Sequence, residues 1–524
     1  MRQCWEAMKK TIALTVFPGN ERREFAGPLT LAEALFEMGR DIPTPCGGSG
    51  TCGKCLLRAE GELSPRSESE IARTGSDAGL RLSCQAELWG EVRVYLHEAV
   101  PTRNIPPASL PTGDEPFALA VDIGTTSIQI SLVNRRGETY PADSFLNPQR
   151  KFGHDVISRV AHARQPSGRH QLVEMLRRRI DGSLANRVRE WNLNAGKVER
   201  IVFSGNTAML YFLFDYDVTP LGVAPYQIKD RSFEGYTAAD IGMTFASGSE
   251  VVGLPVVSAF LGGDFSGGLG MVLAGGISER CFFIDLGTNG EMFLMDADAG
   301  VHATSCAMGP ALEGMNMQYG MTAVEGALTH VFQEGAGIRY QVLGGGSPVG
   351  ISGTGYMDLV AMFLEEEIIA NDGSLRSERG EGDRRSQWAV VSRDGQKRIE
   401  LGSGLALTQK DLRSLQLAKG ASYAASRLLL REAHCREEDI RHVFIAGAFG
   451  ENLNLDHFRR LKFLPAFPEA EYRFLGNTSL QAAEKICRDD SFRDGLKKMG
   501  QGVRVLDLSN HPDFNDLFIQ SLDF

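Results

Sequence analysis

A strand–turn–strand pattern that occurs twice constrains the fold of this 524-residue chain more than any other feature. The first copy, residues 117–138, reads FALAVDIGTTSIQISLVNRRGE, and the second, residues 281–300, reads CFFIDLGTNGEMFLMDADAG. In each copy an apolar strand ends at an aspartate, Asp122 or Asp285, and a Gly-Thr turn leads into a second strand. The copies lie 163 positions apart, which indicates an internal duplication.

A second pair of segments supports the duplication. Residues 197–209, KVERIVFSGNTAM, and residues 438–452, EDIRHVFIAGAFGEN, share a polar lead-in, a β-branched and aromatic strand, and a glycine turn into a helix. Two matching halves predict an α/β fold with two similar lobes around a cleft. We place the lobes at approximately residues 117–260 and 261–524.

The repeated turns have the chemistry of a phosphate site. A glycine lets the backbone approach a ligand closely, and threonine hydroxyls and N–H groups then point at phosphate oxygens. A carboxylate at the base of such a turn holds Mg²⁺ through water. One D-x-G-T turn is common in proteins, whereas two copies in matching repeats are specific. Taken alone, the AGAFG run is better explained by tight helix–sheet packing.

The N-terminal region carries a cysteine-rich loop. Cys46, Cys52 and Cys55 follow C-x5-C-x2-C spacing within PCGGSGTCGKC, and Cys84 comes after 28 further residues. Three thiolates from one tight loop and a fourth from a distant turn suit a [2Fe–2S] cluster. A structural zinc site usually has two C-x2-C pairs, and a disulfide framework fits poorly with nine cysteines in a chain that has no secretory signal. Around this loop the sequence predicts a β-grasp ferredoxin-like domain over residues 1–98, including a helix that begins near Thr30.

Residues 99–116 contain five prolines and few large apolar residues. This composition predicts a semi-stiff linker. We hypothesise that it lets the cluster domain move between an electron donor and an acceptor, although a plain spacer is the commoner use of such a segment.

Charge and hydropathy exclude some partners. The net charge of −11 provides no basic field for nucleic acid. The most apolar run, residues 251–263, is too short to cross a bilayer, so we expect no membrane span. With no apolar leader at the N-terminus, we expect a cytoplasmic protein, where thiols stay reduced.

The segments DIGTTS, DLGTNG and AGAFGEN resemble the two phosphate motifs and the adenosine motif of the ASKHA superfamily, which includes sugar kinases, Hsp70 and actin. This resemblance implies ATP and Mg²⁺ as cofactors, with Asp122 and Asp285 in catalytic positions. The nucleotide-binding residues that it implies are Gly124, Thr125, Thr126, Gly205, Asn206, Gly287, Thr288, Asn289, Gly447, Ala448 and Gly450.

A ferredoxin-like domain fused to an ASKHA ATPase resembles the reductive activators of corrinoid proteins. The resemblance implies ATP-driven transfer of one electron from the [2Fe–2S] cluster to Co(II), which regenerates Co(I) in a methyltransferase or O-demethylase system. It also implies a corrinoid protein as partner, a low-potential electron donor, and a homodimer. Ser305 matches the family's serine in a loop that faces the corrinoid, as a contact or axial ligand, although a turn serine is the commoner role.

Two alternatives remain open from the sequence. One is an ASKHA small-molecule kinase with a redox-sensing ferredoxin domain. The other is an ATP-gated electron carrier that serves a different low-potential acceptor.

Overall fold

The computed structural model describes residues 12–17, 20–25, 29–38, 40, 42, 50, 53, 55–75, 77–96, 110, 115–153, 155–277, 279–296, 300–309, 311–314, 317–334, 337–376, 390–393, 395–447 and 453–524. Cys46, Cys52, Ala448, Gly450 and most of the predicted linker lie outside these ranges, so the predictions made for them stay predictions.

The N-terminal domain is a five-stranded sheet crossed by a short helix, as predicted. Thr30 begins the helix with a capping box, because its hydroxyl accepts from the Glu33 N–H at 3.2 Å. The sheet order is β2-β1-β5-β3-β4, with β1 and β5 parallel in its centre. The elements are β1 (Ile12–Phe17), β2 (Glu21–Phe25), α1 (Leu31–Glu37), β3 (Leu56–Leu63), α2 (Glu68–Thr74), β4 (Leu80–Leu82) and β5 (Leu88–Tyr95).

Lobe I is built on a six-stranded sheet of order β10-β11-β9-β6-β7-β8. Its central strand is almost entirely apolar because both faces are covered by packed side chains. Its elements are β6 (Phe117–Ile123), β7 (Ser127–Asn134), β8 (Thr139–Leu146), α3 (Val156–Ala163), α4 (Gly168–Glu190), β9 (Val198–Gly205), α5 (Thr207–Leu213), β10 (Phe233–Thr237) and β11 (Glu250–Gly253). Helix α6 (Gly263–Ala274) begins just past the predicted lobe boundary at residue 260 and is counted with lobe I because it follows β11. A 3-10 turn, Pro148–Phe152, follows β8.

Lobe II is built on a second six-stranded sheet, of order β22-β21-β12-β13-β14-β23, with two small sheets, β16-β15-β17 and β18-β19-β20, beside it. Its strands are β12 (Cys281–Leu286), β13 (Asn289–Asp296), β14 (Gly300–Ala307), β15 (Ala327–Glu334), β16 (Gly337–Val342), β17 (Gly350–Ile351), β18 (Val390–Arg393), β19 (Gln396–Gly402), β20 (Leu405–Thr408), β21 (His442–Ala446), β22 (Glu471–Gly476) and β23 (Val503–Val505). Its helices are α7 (Gly353–Glu365), α8 (Gln409–Glu432), α9 (Leu455–Arg460), α10 (Thr478–Ile486), α11 (Asp490–Gly500) and α12 (Phe514–Gln520).

The two large sheets confirm the duplication predicted from the sequence. In lobe I, β6 pairs antiparallel with β7 and parallel with β9, and in lobe II, β12 pairs antiparallel with β13 and parallel with β21. Helices α6 and α10 follow equivalent strands and pack against each other between the lobes. The predicted aspartate turns therefore lie at the same edge of each sheet.

A glycine stands at the same place in both copies for the same steric reason. Gly205 has φ +142°, and a Cβ there would collide with the carbonyl oxygen of Ile123. Gly447 has φ +98°, and a Cβ there would come within 2.6 Å of the carbonyl oxygen of Leu286. Only glycine lets these turns approach the neighbouring strand end so closely.

The ferredoxin-like domain and the two lobes each have their own apolar core. Separate clusters of buried side chains fill the ferredoxin-like domain, lobe I and lobe II. Within the described ranges, no helix combines the length and the apolar character that crossing a bilayer requires.

Candidate functional site

The predicted nucleotide residues gather around one large cavity between the lobes, with a volume of about 1570 Å³. This exceeds the roughly 300–1,000 Å³ of an ordinary small-molecule pocket. The lining includes Asp122, Gly124, Thr125, Thr126, Gly205, Asn206, Asp285, Gly287, Thr288, Asn289 and Gly447, which are all the predicted nucleotide-site residues that the structure describes.

The two repeated turns meet at the bottom of the cavity. The hydroxyls of Thr126 and Thr288, one from each lobe, lie 3.0 Å apart and share a hydrogen bond. The Asn206 amide donates to the Thr125 hydroxyl at 2.8 Å, and the Thr288 hydroxyl donates to Glu313 Oε1 at 3.0 Å. Hydroxyl groups from both lobes, and a side-chain amide from lobe I, therefore converge where a phosphate chain would lie.

Asp122 is held by donors from the opposite lobe. The Ser479 hydroxyl donates to Asp122 Oδ1 at 2.6 Å, and the Asn477 amide donates to Oδ2 at 2.8 Å. Burial raises the pKa of Asp122, and these two hydrogen bonds counteract the rise. The first aspartate thus forms a polar bridge between lobe I and the start of α10.

Asp285, its counterpart, faces carboxylates instead. Burial raises its pKa well above the ordinary value, and the charges of Asp264, Asp122 and Glu313 raise it further. No side-chain donor to the Asp285 carboxylate occurs among the described residues. Burial and the neighbouring Asp122 also raise the pKa of Asp264, to about 7. Glu291 behaves in the same way, since burial and the charges of Asp264 and Asp285 raise its pKa.

This donor set fits a magnesium ion. Carboxylate oxygens are the ligands that Mg²⁺ prefers, and a divalent cation would offset the repulsion among these groups. Glu313 supplies a further indication, because its Oε2 is buried and has no hydrogen-bond partner among the described residues. Asp264, Asp285, Glu291 and Glu313 all line the cavity.

Arg159 supports the first phosphate turn from behind. The side chain is fully buried, and its guanidinium donates to the Thr125 carbonyl and, at 3.0 Å, to the Gly153 carbonyl. Burial lowers the pKa of Arg159 to about 9. Nearby, the Asn147 amide donates to the Gly124 carbonyl at 2.8 Å. These contacts fix the backbone of the turn and place a buried cation beneath it.

Two of the four predicted cluster ligands, Cys55 and Cys84, lie in the described part of the chain and are close together. The sulfurs of Cys55 and Cys84 lie 3.2 Å apart, which is too long for the 2.03–2.05 Å of a disulfide and suits two ligands of one iron. Gly50 and Gly53 have φ of +76° and +68°, as expected of a loop that curls around a cluster. Cys84 also lines the nucleotide cavity, so the cluster domain sits at the mouth of the cleft.

The prediction that Ser305 lies in a loop is wrong. Ser305 is a residue of strand β14, paired with Glu291 of β13, and its hydroxyl donates to Glu291 Oε1 at 3.3 Å. The loop begins only after Ala307, because the antiparallel pairing of β13 and β14 continues to that residue. The contact of Ser305 with a corrinoid stays a prediction.

Several residues of the site were not singled out from the sequence. Asp264 lies in a GGDFSGG segment whose glycines gave the only signal, and Glu291 follows the second repeated turn by two positions. Asn477 and Ser479 carried no signal, since their role arises only when α10 crosses to the other lobe. The remaining described cysteines are buried thiols, namely Cys281, Cys306, Cys435 and Cys487.

Comparison with known protein families assigns all three parts of the chain. Residues 15–88 match a family described as a 2Fe-2S iron-sulfur cluster binding domain. Residues 117–278 match the RACo middle region, and residues 279–524 match the C-terminal domain of RACo, described as the ASKHA domain. The boundary between the two RACo families falls just after α6.

Individual relatives agree with this assignment. The chain is 29% identical over 421 residues to "Corrinoid activation enzyme RamQ" of Eubacterium limosum, covering 78% of this chain and 70% of that protein. It is 24% identical over 455 residues to "[Co(II) methylated amine-specific corrinoid protein] reductase" of Methanosarcina barkeri, covering 78% and 77%. The solved structure of a "Reductive activator for corrinoid,iron-sulfur protein" has a TM-score of 0.72 and 24% identity, and covers 98% of both chains.

The fold and the site define a [2Fe–2S] protein joined to a two-lobed ATP-binding ASKHA domain. A cluster-binding module and two successive RACo domains, in this order, make the assignment more specific. The chain belongs to the RACo family.

Proposed function

We propose that this protein is an ATP-dependent reductase that returns the cobalt of a corrinoid protein from Co(II) to Co(I). The observation that supports the proposal is the shared cavity, whose lining includes both Cys84 of the ferredoxin-like domain and the turns that follow Asp122 and Asp285. Two relatives are named for corrinoid activation or for Co(II) corrinoid reduction, which supports the same reaction.

The ferredoxin-like domain would hold the electron. Cys46, Cys52, Cys55 and Cys84 are the proposed thiolate ligands. When bound, a [2Fe–2S] cluster of the plant ferredoxin type supplies one electron at a potential of about −400 mV. Burial of Cys55 and the positive-φ glycines around it shape the loop that receives the cluster.

The two lobes would hold MgATP. The turns at 124–126 and 287–289, which line the cavity, would contact the phosphates, and Gly205 and Asn206 would complete the lobe I side. Gly447, Ala448 and Gly450 would contact adenosine on the lobe II side. Asp285, together with Asp264 and the glutamates beside it, would hold Mg²⁺ through its waters. Asp122 would act from the opposite side of the phosphate chain, where it also ties the lobes together.

Nucleotide binding is coupled to the arrangement of the two lobes through the phosphate turns. Thr126 and Thr288 come from different lobes and already touch, so a phosphate chain bound by both turns fixes the angle between the lobes. A ligand shifts a conformational equilibrium only through its different affinities for the two states. ATP therefore assists an unfavourable electron transfer only if the closed lobes bind the Co(II) partner differently from the open ones.

We also propose the partners that this chemistry needs. A low-potential donor must reduce the cluster, the cytoplasm provides the reducing conditions, and a homodimer is the assembly that the family resemblance implies.

Ser305→Ala tests the proposed corrinoid contact. A slower rate of Co(I) formation with unchanged ATP hydrolysis supports the contact, and unchanged rates of both reactions contradict it.

The function is tested by mixing reduced protein, ATP and a candidate Co(II) corrinoid protein without oxygen. Co(I) should appear in the visible spectrum only with nucleotide present. Cys84→Ser should bind ATP and form no Co(I). If the protein instead phosphorylated an added small alcohol or acid stoichiometrically and left cobalt as Co(II), it would be a kinase and the proposal would fail.

A further inference from the structure

The ferredoxin-like domain has an aromatic side chain that its own core does not use. Phe36 lies on α1, next to the buried Leu35, yet its ring does not belong to the apolar cluster of that domain. The ring instead faces helix α4 of lobe I. The Arg179 guanidinium carbon lies 3.1 Å from the centre of the Phe36 ring and 4.1 Å from that of Phe145. One lobe I cation is thus held between an aromatic ring of each domain.

Charge on the two faces is complementary around this contact. Glu33 and Glu37 lie on the same helix as Phe36, and each meets a cation of lobe I. Lys151 Nζ lies 3.6 Å from Glu33 Oε1, and Arg178 Nη1 lies 3.5 Å from Glu37 Oε1. Half-exposed ion pairs of this kind set the orientation of a contact more than its strength. The stacked Phe36 is therefore the anchor, and the ion pairs fix its direction.

The lobe I face is connected to the first phosphate turn. Lys151 belongs to the 3-10 turn Pro148–Phe152, whose cap residue Asn147 donates through its side chain to the Gly124 carbonyl at 2.8 Å. The Asn147 N–H also donates to the Thr126 carbonyl at 2.9 Å. The segment that holds the ferredoxin-like domain and the segment that would hold phosphate are thus adjoining parts of one hydrogen-bonded unit.

We propose that lobe I has a docking surface for the chain's own ferredoxin-like domain, formed by Phe145, Lys151, Arg178 and Arg179. We further propose that a nucleoside triphosphate in the cavity releases that domain. The physical reason is charge. Glu33 and Glu37 line the same cavity as the phosphate turns, so a bound polyanion repels them and competes for Lys151. The nucleotide-dependent release rests on the proposed function, because that function makes ATP the ligand of the cavity.

Zero-length carbodiimide cross-linking of the full-length, cluster-loaded protein tests this directly. The reagent joins an amine to a carboxylate only when they touch, and Lys151 and Glu33 meet that condition in the docked arrangement. Without nucleotide, mass spectrometry should find the Lys151 peptide joined to the Glu33 peptide. A saturating non-hydrolysable ATP analogue with Mg²⁺ should lower that yield. Absence of the cross-link without nucleotide overturns the docking surface.

Matched variants separate docking from folding. Phe36→Ala should lower the cross-link yield several-fold, because it removes the cation–π contact with Arg179. Ile71→Ala, which trims an apolar side chain that is 52% exposed on the other helix of the same domain, should leave the yield unchanged. The visible spectrum of the cluster should be the same in both variants. Equal yields in the two variants contradict the proposal.

A second pair of variants acts from the lobe I side. A Cβ at Gly182 would lie 3.8 Å from the Phe36 ring, an ordinary contact distance, so Gly182→Ala should preserve the cross-link. Gly182→Glu adds bulk and negative charge against Phe36 and the acidic face of α1, so it should reduce the cross-link. Equal yields for Gly182→Ala and Gly182→Glu contradict the docked arrangement.

Failure of this inference can be told apart from failure of the proposed function. Nucleotide binding is measured separately by calorimetry on the same samples. If the analogue binds and the cross-link yield stays the same, the proposed release of the ferredoxin-like domain is wrong, whereas the proposed reductase function is unaffected. If no nucleotide binds, the proposed function and the release both fail, and the nucleotide-free cross-link still decides whether the docking surface exists.

Discussion

The two lobes place the same aspartate in opposite surroundings. Asp122 accepts hydrogen bonds from Ser479 and Asn477, whereas Asp285 faces Asp264 and other carboxylates. The difference arises at equivalent helix starts. Ser479 is the second residue of α10 and Asp264 the second residue of α6, and their N-caps are Asn477 and Gly262. The backbone of the turns is the same in both copies, whereas a few side chains give one copy a hydrogen-bonded bridge and the other a cluster of buried carboxylates.

The largest effect is expected at Asp285. Asp285→Asn removes a charged ligand from the proposed Mg²⁺ site, so ATP hydrolysis should fall by roughly a hundredfold or more. The cluster lies in a separate domain, so its visible absorbance should not change. Steady-state ATPase assays and absorption spectra check both statements. Hydrolysis within a fewfold of the parent protein would remove Asp285 from the site.

The next test makes lobe I resemble lobe II. Ser479→Asp replaces a donor that lies 2.6 Å from Asp122 by a second carboxylate. Lost hydrogen bonding and like-charge repulsion should destabilise the protein by about 2–4 kcal/mol. The destabilisation should grow as the pH rises and both groups ionise, as thermal unfolding at several pH values will show. A variant as stable as the parent protein would mean that the hydrogen-bonded bridge at Asp122 is unimportant.

A pH-dependent effect is expected at Asp264. Its folded-state pKa of about 7 lies above the ordinary 3.8, so the folded protein retains a proton that the unfolded chain releases. Stability should therefore fall as the pH rises between these values. Asp264→Asn removes this dependence, so without Mg²⁺ and nucleotide the variant should be more stable than the parent protein by at least ~1 kcal/mol at about pH 8. That advantage should shrink towards about pH 5. An advantage independent of pH would be inconsistent with a raised pKa.

The smallest effect is expected from Ser479→Ala. This change removes one of two donors to Asp122 and leaves Asn477 in place, so the cost should be about 1–2 kcal/mol. ATP hydrolysis should change far less than in Asp285→Asn. A loss of ATP hydrolysis as large as in Asp285→Asn would show that Asp122 and Asp285 contribute equally to hydrolysis. That result would contradict the different surroundings of the two aspartates.

The sequence was sufficient for features that are encoded locally. Both Asp-x-Gly-Thr turns follow apolar strands, the glycines at 205 and 447 lie at close backbone approaches, and a helix begins at Thr30 as predicted. Each of these depends on residues within a few positions of one another, which a pattern can record.

Contacts between distant segments were not predictable. Ser479 reaches Asp122 across 357 positions because α6 and α10 pack between the lobes, and no local pattern records that packing. Arg159 resembles any helical arginine in the sequence, and only the fold buries it beneath Thr125. Ser305 was misplaced because its Thr-Ser-Cys sequence allows a strand as readily as a loop, and pairing with β13 decides between them.

A single-turnover experiment tests the central claim most directly. The cluster of the parent protein and of Asp285→Asn is reduced to the same extent, each protein is mixed with a Co(II) corrinoid protein and MgATP without oxygen, and Co(I) formation is followed. The parent should produce Co(I) with ATP and little without it, and Asp285→Asn should match the nucleotide-free parent. Equal amounts of Co(I) from both proteins, or from the parent with and without ATP, would contradict a reductase driven by the nucleotide cleft.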